Sequence, residues 1–278
     1  MRTEHSFDLV HNNTMHLHCI AEKVVFPERV QDLLEVVSSS EDFLILAGGS
    51  NVILPKRLRQ TVVLLSSMPT DILVDGTTVV CPAAVRIQTL IRHTQRYGLG
   101  GFEYLFSVPC TIGGAVYMNA GRGEAFHQSI SDFITSVECY NVKTRRIENL
   151  SREECQFSHR HSIFQTGERV ILSVVLNMKV SDGSEVDERI QSRLSFSSKY
   201  LDASKPNSGS IFSHCDLGVM ANLCGLRIGG ACWSSKTLNW ISNDNDAKHW
   251  QVVALIRVAE ILHMLKFRSC KREVILVR

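Results

Sequence analysis

Apolar residues recur at helical spacing in three parts of the chain. The faces that they form are Val30, Leu33, Leu34 and Val37, then Ile87, Leu90, Ile91 and Thr94, and a broad face from about 248 to 267. The first helix is predicted to begin at about Pro27, because proline suits a first helical turn, and a run of serines ends it. Gly98 can cap the second helix.

Short apolar or alternating runs predict β-strands between these helices. The runs are 43–46, 62–65, 72–74, 79–80, 134–142 and 170–180. Residues 181–205 are polar and predicted to be helical in part, with Ile190 and Leu194 one turn apart. Helices and strands that are mixed in this way indicate an α+β fold.

Composition and charge exclude several classes of protein. The 278 residues are long enough for two or three compact lobes, and the hydrophobic fraction of 44% is that of a globular protein. The formal net charge is +2 without a basic stripe, so we expect no nucleic-acid partner. No apolar run reaches the ~18 residues of a membrane span, and the N-terminal residues lack the apolar core of a secretory signal. We therefore expect a cytoplasmic protein with no membrane partner.

Nine cysteines are scattered along the chain without a C-x-x-C pair. The odd number and the absence of metal-site spacing predict neither a disulfide framework nor a metal site. We expect buried free thiols in a reducing compartment.

A glycine-rich stretch from Gly98 to Gly123 is the most unusual part of the sequence. It holds seven of the 17 glycines, and apolar residues separate them. Glycine is needed where the backbone takes positive φ or approaches a ligand closely, and phosphate oxygens are well held by backbone N–H groups. The pattern fits either tight turns in an α+β core or a cofactor cradle.

A second glycine motif follows the predicted strand 43–46 and reads Ala47-Gly48-Gly49-Ser50-Asn51. A strand that ends in such a turn can present consecutive N–H groups to an anion. Neither G-x-G-x-x-G nor a P-loop lysine is present, which excludes a Rossmann or Walker site.

Together the two motifs resemble the flavin-binding signature of the UDP-N-acetylenolpyruvoylglucosamine reductase (MurB) family. Residues 47–51 are similar to its G-x-G-S-N, and 108–115 and 118–121 are similar to I-P-G-T/S-V-G-G-A and M-N-A-G, with Cys110 in place of glycine. Pro82 stands where the family often has the first glycine of G-A-G-A. Asn13-Thr14-Met15 resembles a motif close to the flavin, although a surface turn is the alternative. The resemblance implies FAD contacts by Ala47, Gly48, Gly49, Ser50, Asn51, Val108, Thr111, Gly113, Gly114, Ala115, Asn119 and Gly121.

The resemblance also implies three catalytic residues. Arg160 lies in a segment similar to F-G-Y-R-x-S-I-F, Ser210 in one similar to N-A-G-S-x-F, and Glu273 in one similar to P-E-V-R. His159 replaces the usual tyrosine, and Ser213 stands where the family has a lysine. Without the resemblance, the three would suggest a surface salt bridge, a turn serine and a solvated strand end.

The family's fold and reaction are therefore the expectation for this chain. The fold would be α+β, of the vanillyl-alcohol-oxidase-like (PCMH-type) flavoproteins, with FAD lobes at 1–66 plus 269–278 and at 67–180, and a smaller substrate lobe at 181–268. The reaction would reduce UDP-N-acetylglucosamine enolpyruvate to UDP-N-acetylmuramate with FAD and NADPH, in a monomer that makes a peptidoglycan precursor. The alternatives are another flavoprotein sugar oxidoreductase and a binding protein without catalysis.

Overall fold

The computed structural model describes residues 1–40, 42–122 and 128–277, so Gly123 lies outside the described residues. The chain divides into two compact units. Unit 1 consists of Met1–Thr3, Val25–Ala47 and Val63–Ser195, and unit 2 of Glu4–Val24, Gly48–Val62 and Phe196–Arg278. Each unit combines segments that are distant in sequence.

The strands are β1 (Arg2–Asp8), β2 (Ile20–Phe26), β3 (Phe43–Leu46), β4 (Val52–Ile53), β5 (Arg57–Leu64), β6 (Leu73–Asp75), β7 (Thr78–Pro82), β8 (Leu99–Gly100), β9 (Ile134–Asn141), β10 (Arg146–Ser151), β11 (Arg169–Asn177), β12 (Lys179–Val180), β13 (Asn207–Ser210), β14 (Phe212–His214), β15 (Arg227–Ile228), β16 (Ala231–Trp233), β17 (Trp240–Asn243), β18 (Lys271–Arg272) and β19 (Ile275–Leu276). The α-helices are α1 (Val30–Ser39), α2 (Ile87–Gln95), α3 (Ile112–Tyr117), α4 (Gly183–Tyr200), α5 (Leu217–Ala221) and α6 (His249–Leu265). Strands β1, β2, β5 and β3 form a sheet in that order.

Unit 1 contains a five-stranded sheet in the order β10-β9-β11-β7-β6, whose neighbouring strands are antiparallel. Helix α2 buries the face that its spacing predicts, and its residues share one core with Val79 of β7, Val137 of β9 and Val174 of β11. Helix α3 joins the same core through Ile112 and Val116. The glycine-rich stretch therefore belongs to the packed interior of this unit.

Unit 2 contains a four-stranded sheet in the order β13-β17-β16-β15. Helix α6 buries Val252, Leu255 and Ile256 in a core that also contains Phe212 and Trp233, whose rings stack. Two smaller pairings complete the unit: β14 is antiparallel to β18, and β19 is parallel to β4.

The structure confirms most of the predicted elements and adjusts their ends. The first helix covers Val30–Ser39 with Arg29 as its N-cap, so the predicted start at about Pro27 is wrong and the proline lies before the helix. The strand at 43–46 has the predicted bounds. The strand predicted at 62–65 begins earlier, at Arg57, and the run at 170–180 is divided into β11 and β12. Gly98 follows α2 with a φ of 68°, as a capping glycine requires.

All nine cysteines are free, as the sequence predicted, but not all of them are buried. Cys224 is exposed, and Cys215 and Cys270 are partly exposed. The expectation of uniformly buried thiols is wrong at these three positions, because each lies in a connecting segment of unit 2 that leaves the residue in contact with solvent. Within the part of the chain that the structure describes, no helix has both the length and the apolar character to cross a bilayer.

Candidate active site

The loop that precedes α3 is fixed by a helix cap. Thr111 is the N-cap residue of α3, and its hydroxyl accepts a hydrogen bond from the Gly114 N–H at 3.3 Å. Gln88 on α2 donates to the carbonyl oxygens of Phe106 and Val108 at 2.8 and 2.7 Å, so the backbone before the cap is held as well. The sequence did not single out Gln88, since a polar residue on a helix gives no local sign of a distant partner.

Gly113 is required by packing against residue 83. A Cβ built at Gly113 would lie 2.9 Å from the Cβ of Ala83 and 3.2 Å from its carbonyl oxygen. The Gly113 N–H donates to that same oxygen at 2.9 Å, and the Ile112 N–H donates to Val85 at 2.8 Å. With Gly114 bonded to Thr111, these consecutive amides are used within the protein, so a phosphate needs other donors.

Ala47 and Gly114 connect the two glycine motifs inside unit 1. A Cβ at Gly114 would make ordinary contact with the Ala47 Cβ at 3.5 Å. Ala115, which is buried, follows on the inner side of α3. Within unit 1, the structure thus brings the end of β3 against the start of α3.

Asn119 joins three loops of unit 1. It is 6% exposed and adopts a φ of 43°, a left-handed conformation that asparagine tolerates better than most residues. Its side-chain amide donates to the Ser158 carbonyl at 2.9 Å, and its side-chain oxygen accepts from the Ser131 N–H at 3.3 Å. Asn119 therefore fixes the segment that carries Arg160.

Arg160 occupies a tight turn closed by two hydrogen bonds between Ser158 and His161, each 3.1 Å long. Its φ of 56° is left-handed, and its side chain is half-buried. The guanidinium donates to the Gly121 carbonyl at 3.1 Å. A Cβ at Gly121 would lie 2.1 Å from the Gln128 carbonyl oxygen, so glycine is required there. Strained conformations that the surrounding structure holds in place are common at functional sites.

Gln165 is a further residue that sequence reasoning missed. Its side-chain amide donates to the carbonyl oxygens of Arg160 and Tyr117, both at 3.0 Å. Ser162 donates to the same Tyr117 oxygen at 2.8 Å. The turn that presents Arg160 is therefore tied to the C-terminal end of α3.

In unit 2, residues Gly48–Asn51 form the turn that leads into β4. Gly49 has a φ of 59°, and a Cβ there would lie 2.0 Å from the Asn12 carbonyl oxygen. Among the residues that the structure describes, the amides of 48–51 donate to no other protein group. A turn of open N–H groups is a suitable anion site.

Thr14 lies beside this turn. Its N–H donates to the Gly49 carbonyl at 3.1 Å, while its buried hydroxyl has no hydrogen-bond partner among the described residues. Asn13 is 3% exposed and Met15 is fully buried. The surface-turn alternative for this motif is wrong, because Asn13 bonds the Leu9 and Leu17 backbone and the segment packs into the core.

Ser210 and Glu273 belong to neighbouring backbone segments of unit 2. The Glu273 N–H donates to the carbonyl of Ile211, the residue after Ser210, at 2.8 Å. Asn51 donates to the Glu273 carbonyl at 3.2 Å and accepts from the Ile275 N–H at 3.0 Å. Both side chains are partly exposed, which leaves them accessible to a ligand. The structure therefore groups Asn51, Ser210 and Glu273, although they are far apart in sequence.

Two basic residues precede Glu273 in the sequence. Arg272 pairs with Glu260 on α6 at 3.4 Å, and Lys271 is exposed.

In unit 1, burial raises the pKa of the Cys110 thiol to about 12, so this thiol stays neutral at physiological pH. Cys110 therefore has the properties of a small apolar residue in the loop rather than of a nucleophile.

The predicted residues thus form one group in each unit. Unit 1 holds Ala47, Arg160 and the positions on the 108–121 segment, while unit 2 holds 48–51, Ser210 and Glu273. Their roles toward a ligand stay predictions at this point.

Comparison with known proteins identifies the family. The FAD binding domain profile matches residues 21–149. The UDP-N-acetylenolpyruvoylglucosamine reductase of Pediococcus pentosaceus is 31% identical over 235 residues, which are 80% of this chain and 76% of that protein. The enzyme of the same name from Thermosipho melanesiensis is 29% identical over 244 residues, 85% of this chain and 82% of that protein.

A solved structure agrees with these sequence matches. The crystal structure of the UDP-N-acetylenolpyruvylglucosamine reductase (MurB) of Thermus caldophilus has a TM-score of 0.84 with this chain, at 22% identity and with 100% of both chains covered. It confirms the predicted fold class, and the profile confirms an FAD-binding part. This chain belongs to the UDP-N-acetylenolpyruvoylglucosamine reductase family.

Proposed function

We propose that this protein is a flavin-dependent oxidoreductase that reduces UDP-N-acetylglucosamine enolpyruvate to UDP-N-acetylmuramate, a step of peptidoglycan precursor synthesis. The observation that carries the proposal is the hydrogen bond from the Glu273 N–H to the Ile211 carbonyl. In a chain of this family, this contact brings the backbone of Glu273 next to the residue that follows Ser210. Reduction of a C=C bond needs a proton donor in addition to a hydride.

The residues present fit FAD. The open amides of 48–51 offer donors for a diphosphate, and Gly49 keeps the backbone bare where a side chain would collide with Asn12. The unpartnered Thr14 hydroxyl adds a donor or acceptor beside the same turn. In unit 1, Thr111, Gly113, Gly114, Ala115, Asn119 and Gly121 would line the remaining part of the cofactor, with Val108 and Ala47. When bound, FAD accepts a hydride from NADPH and delivers it to the substrate.

Arg160 would stabilise the negative charge that develops on the substrate. Hydride addition to a C=C bond conjugated to a carboxylate leaves enolate charge, which a fixed cation stabilises. The Arg160 guanidinium is anchored at Gly121, and its backbone at Gln165, so little reorganisation is needed when charge develops. A guanidinium fork also matches the two oxygens of a carboxylate.

Ser210 would donate the proton to the second carbon, and Glu273 would assist the transfer. A hydroxyl is a weak acid, so it needs a fixed orientation and a neighbouring acid-base group. The Ile211–Glu273 hydrogen bond supports both requirements, because it limits the movement of the two residues relative to each other. Asn51 adds a second restraint on the Glu273 backbone.

The finer assignments are part of the same proposal. NADPH would be the reductant, and it would leave before the sugar nucleotide enters. The protein would act as a cytoplasmic monomer without a membrane or nucleic-acid partner. We keep the lobes predicted from the sequence as part of the proposal: two lobes would bind FAD, and the lobe at 181–268 would bind the substrate.

A visible spectrum followed by anaerobic titration tests the function. The purified protein is expected to show flavin absorbance, NADPH is expected to bleach it, and UDP-N-acetylglucosamine enolpyruvate is expected to restore it. A flavin that is bleached by NADPH but restored only by oxygen would support an oxidase instead. A protein that binds the sugar nucleotide without any flavin would support a binding role.

A further inference from the structure

Asn239 lies in the turn before β17 and has a φ of 68°. This left-handed conformation is unfavourable for most residues, whereas asparagine is one of the few that adopt it readily. Its side chain is half-buried, so it is not a solvent-exposed turn residue. The position therefore favours a residue that tolerates positive φ. The side-chain amide of such a residue can also form hydrogen bonds within the protein.

The Asn239 side chain forms two hydrogen bonds with the same backbone residue. Its Oδ1 accepts from the Phe212 N–H at 2.9 Å, and its Nδ2 donates to the Phe212 carbonyl at 2.7 Å. Its own carbonyl accepts from the Ile211 N–H at 2.9 Å. Three hydrogen bonds from one residue thus hold the two residues that follow Ser210.

Ile211 is held from two directions. Its N–H bonds Asn239, while its carbonyl accepts from Glu273 at 2.8 Å and from Val274 at 3.2 Å. On the other side of Ser210, Gly209 has a φ of 69° and no atom within 4 Å of an added Cβ, so packing restrains it little. The backbone on the C-terminal side of Ser210 is therefore held by several hydrogen bonds, whereas on its N-terminal side the Gly209 N–H bonds the Asn207 side chain at 3.0 Å.

We propose that Asn239 is a positioning residue for the proton transfer, acting through Ser210 and its relation to Glu273. This inference rests on the proposed function. A catalytic acid must lie within hydrogen-bond reach of the atom that it protonates, and a displacement of 1 Å can cost about 10²-fold in rate. Loss of the Asn239 side chain removes both of its hydrogen bonds to the Phe212 backbone, two residues after Ser210.

The main variant is Asn239→Gly, because glycine keeps the positive φ and removes only the two side-chain hydrogen bonds. The matched control is Asn141→Ala on β9 of unit 1. Asn141 is 6% exposed, and its side-chain oxygen accepts from the Lys143 and Thr144 N–H groups at 3.0 and 3.1 Å. It lies in the other unit from Ile211 and Phe212, so it reports the effect of lost stability alone.

Stopped-flow flavin absorbance separates the two half-reactions. Asn239→Gly is expected to leave flavin reduction by NADPH unchanged and to slow reoxidation by UDP-N-acetylglucosamine enolpyruvate by roughly 10–100-fold. Asn141→Ala is expected to lower the unfolding temperature while both half-reactions keep the wild-type rate. If Asn239→Gly does not retain FAD, Asn239→Asp takes its place, since it keeps the acceptor for Phe212 N–H and loses the donor.

A double variant tests whether Asn239 acts through Ser210. In a Ser210→Ala background, Asn239→Gly is expected to cause little further slowing of reoxidation, because the group that it positions is gone. An equal effect in both backgrounds, or equal slowing of both half-reactions, would overturn the inference. The wild-type protein separates the two failures. A wild type that NADPH cannot reduce overturns the proposed function as well, whereas an active wild type matched by Asn239→Gly overturns only the positioning role.

Discussion

The main-chain N–H of Glu273 donates a hydrogen bond of 2.8 Å to the carbonyl oxygen of Ile211. This contact joins the end of β13 to the segment between β18 and β19, which are the last strands of the chain. Because it is a backbone contact, substitution of either side chain leaves it intact. The chemical role of Ser210 and Glu273 can therefore be tested without removing the interaction that places them together.

Ser210→Ala is expected to separate the two half-reactions. Reduction of the flavin by NADPH should keep its rate, since it needs no proton donor at the substrate carbon. Reoxidation by the enolpyruvate substrate should slow by roughly 10²–10⁴-fold, which is the rate factor that a positioned general acid usually contributes. Glu273→Gln and Arg160→Lys should show the same asymmetry in stopped-flow absorbance, the latter because an ammonium lacks the guanidinium fork.

Ser204→Ala is the control for this series. Ser204 is an exposed serine that precedes β13 and bonds Asp202, so its loss removes a hydroxyl away from Glu273. Both half-reactions should match the wild type. Equal slowing of the two halves in Ser210→Ala would indicate a structural role for that serine, and an unchanged second half would mean that the proton comes from another group.

Gly49→Ala is expected to release FAD. The added Cβ would meet the Asn12 carbonyl at 2.0 Å, in addition to the cost of positive φ. Gly76→Ala is a matched control, because Gly76 has nearly the same φ of 57° and open space around it. The ratio of flavin to protein absorbance after gel filtration measures the difference. Full flavin retention in Gly49→Ala would show that this turn does not hold the cofactor.

Cys110→Gly is expected to retain FAD and turnover. The thiol is neutral at physiological pH, since burial raises its pKa to about 12, and the reaction needs no thiolate. Restoring the glycine found in the family removes a side chain and adds backbone freedom, which should lower the unfolding temperature slightly. Steady-state NADPH oxidation gives the turnover, and circular dichroism confirms the fold. Loss of turnover in a folded variant would contradict this view of the loop.

Asp32→Asn is expected to change the acid stability of the protein. The Arg29 guanidinium and the Glu28 and Arg29 N–H groups bond the Asp32 carboxylate, and they lower its pKa from 3.8 to about 2. A lowered folded-state pKa contributes stability above the unfolded value, and this contribution is lost as the pH falls toward 2.

Urea unfolding followed by intrinsic fluorescence between these pH values measures the effect. The wild type should lose stability more steeply than Asp32→Asn, which has no carboxylate to protonate at this position. Asp71→Asn removes an exposed carboxylate and serves as the control. Parallel pH profiles for the wild type and Asp32→Asn would show that the carboxylate does not stabilise the first turn of α1.

The sequence predicts those elements whose stability is local. Helix α2 was predicted from its spacing because Ile87, Leu90 and Ile91 all face one core, and the structure buries each of them. Gly98 was predicted as a cap because the residue with positive φ at a helix end is commonly glycine, which can be seen in the sequence. The family motifs added the candidate residues, which local patterns alone left ambiguous.

The residues that the sequence did not reveal act through distant backbone groups. Gln88, Gln165 and Asn239 each bond carbonyl or N–H groups that are many residues away. Nothing in hydrophobic spacing or turn chemistry specifies such a partner, because the partner exists only after the fold has formed. The use of the Gly113 amide within the protein was hidden for the same reason: its acceptor, Ala83, belongs to another loop.

The parallel pairing of β19 with β4 has a consequence for the synthesis of this protein on the ribosome. Strand β4 is translated long before its partner, Ile275–Leu276, which follows far later in the sequence. Until then, Ile53 and Leu54, which are fully buried in the finished unit, lack the strand that pairs beside them. An unpaired strand edge next to exposed apolar residues favours aggregation of nascent chains. We therefore expect the yield of folded protein to depend strongly on chaperones that bind nascent chains. A domain whose strands pair with near neighbours in the sequence should depend on them less.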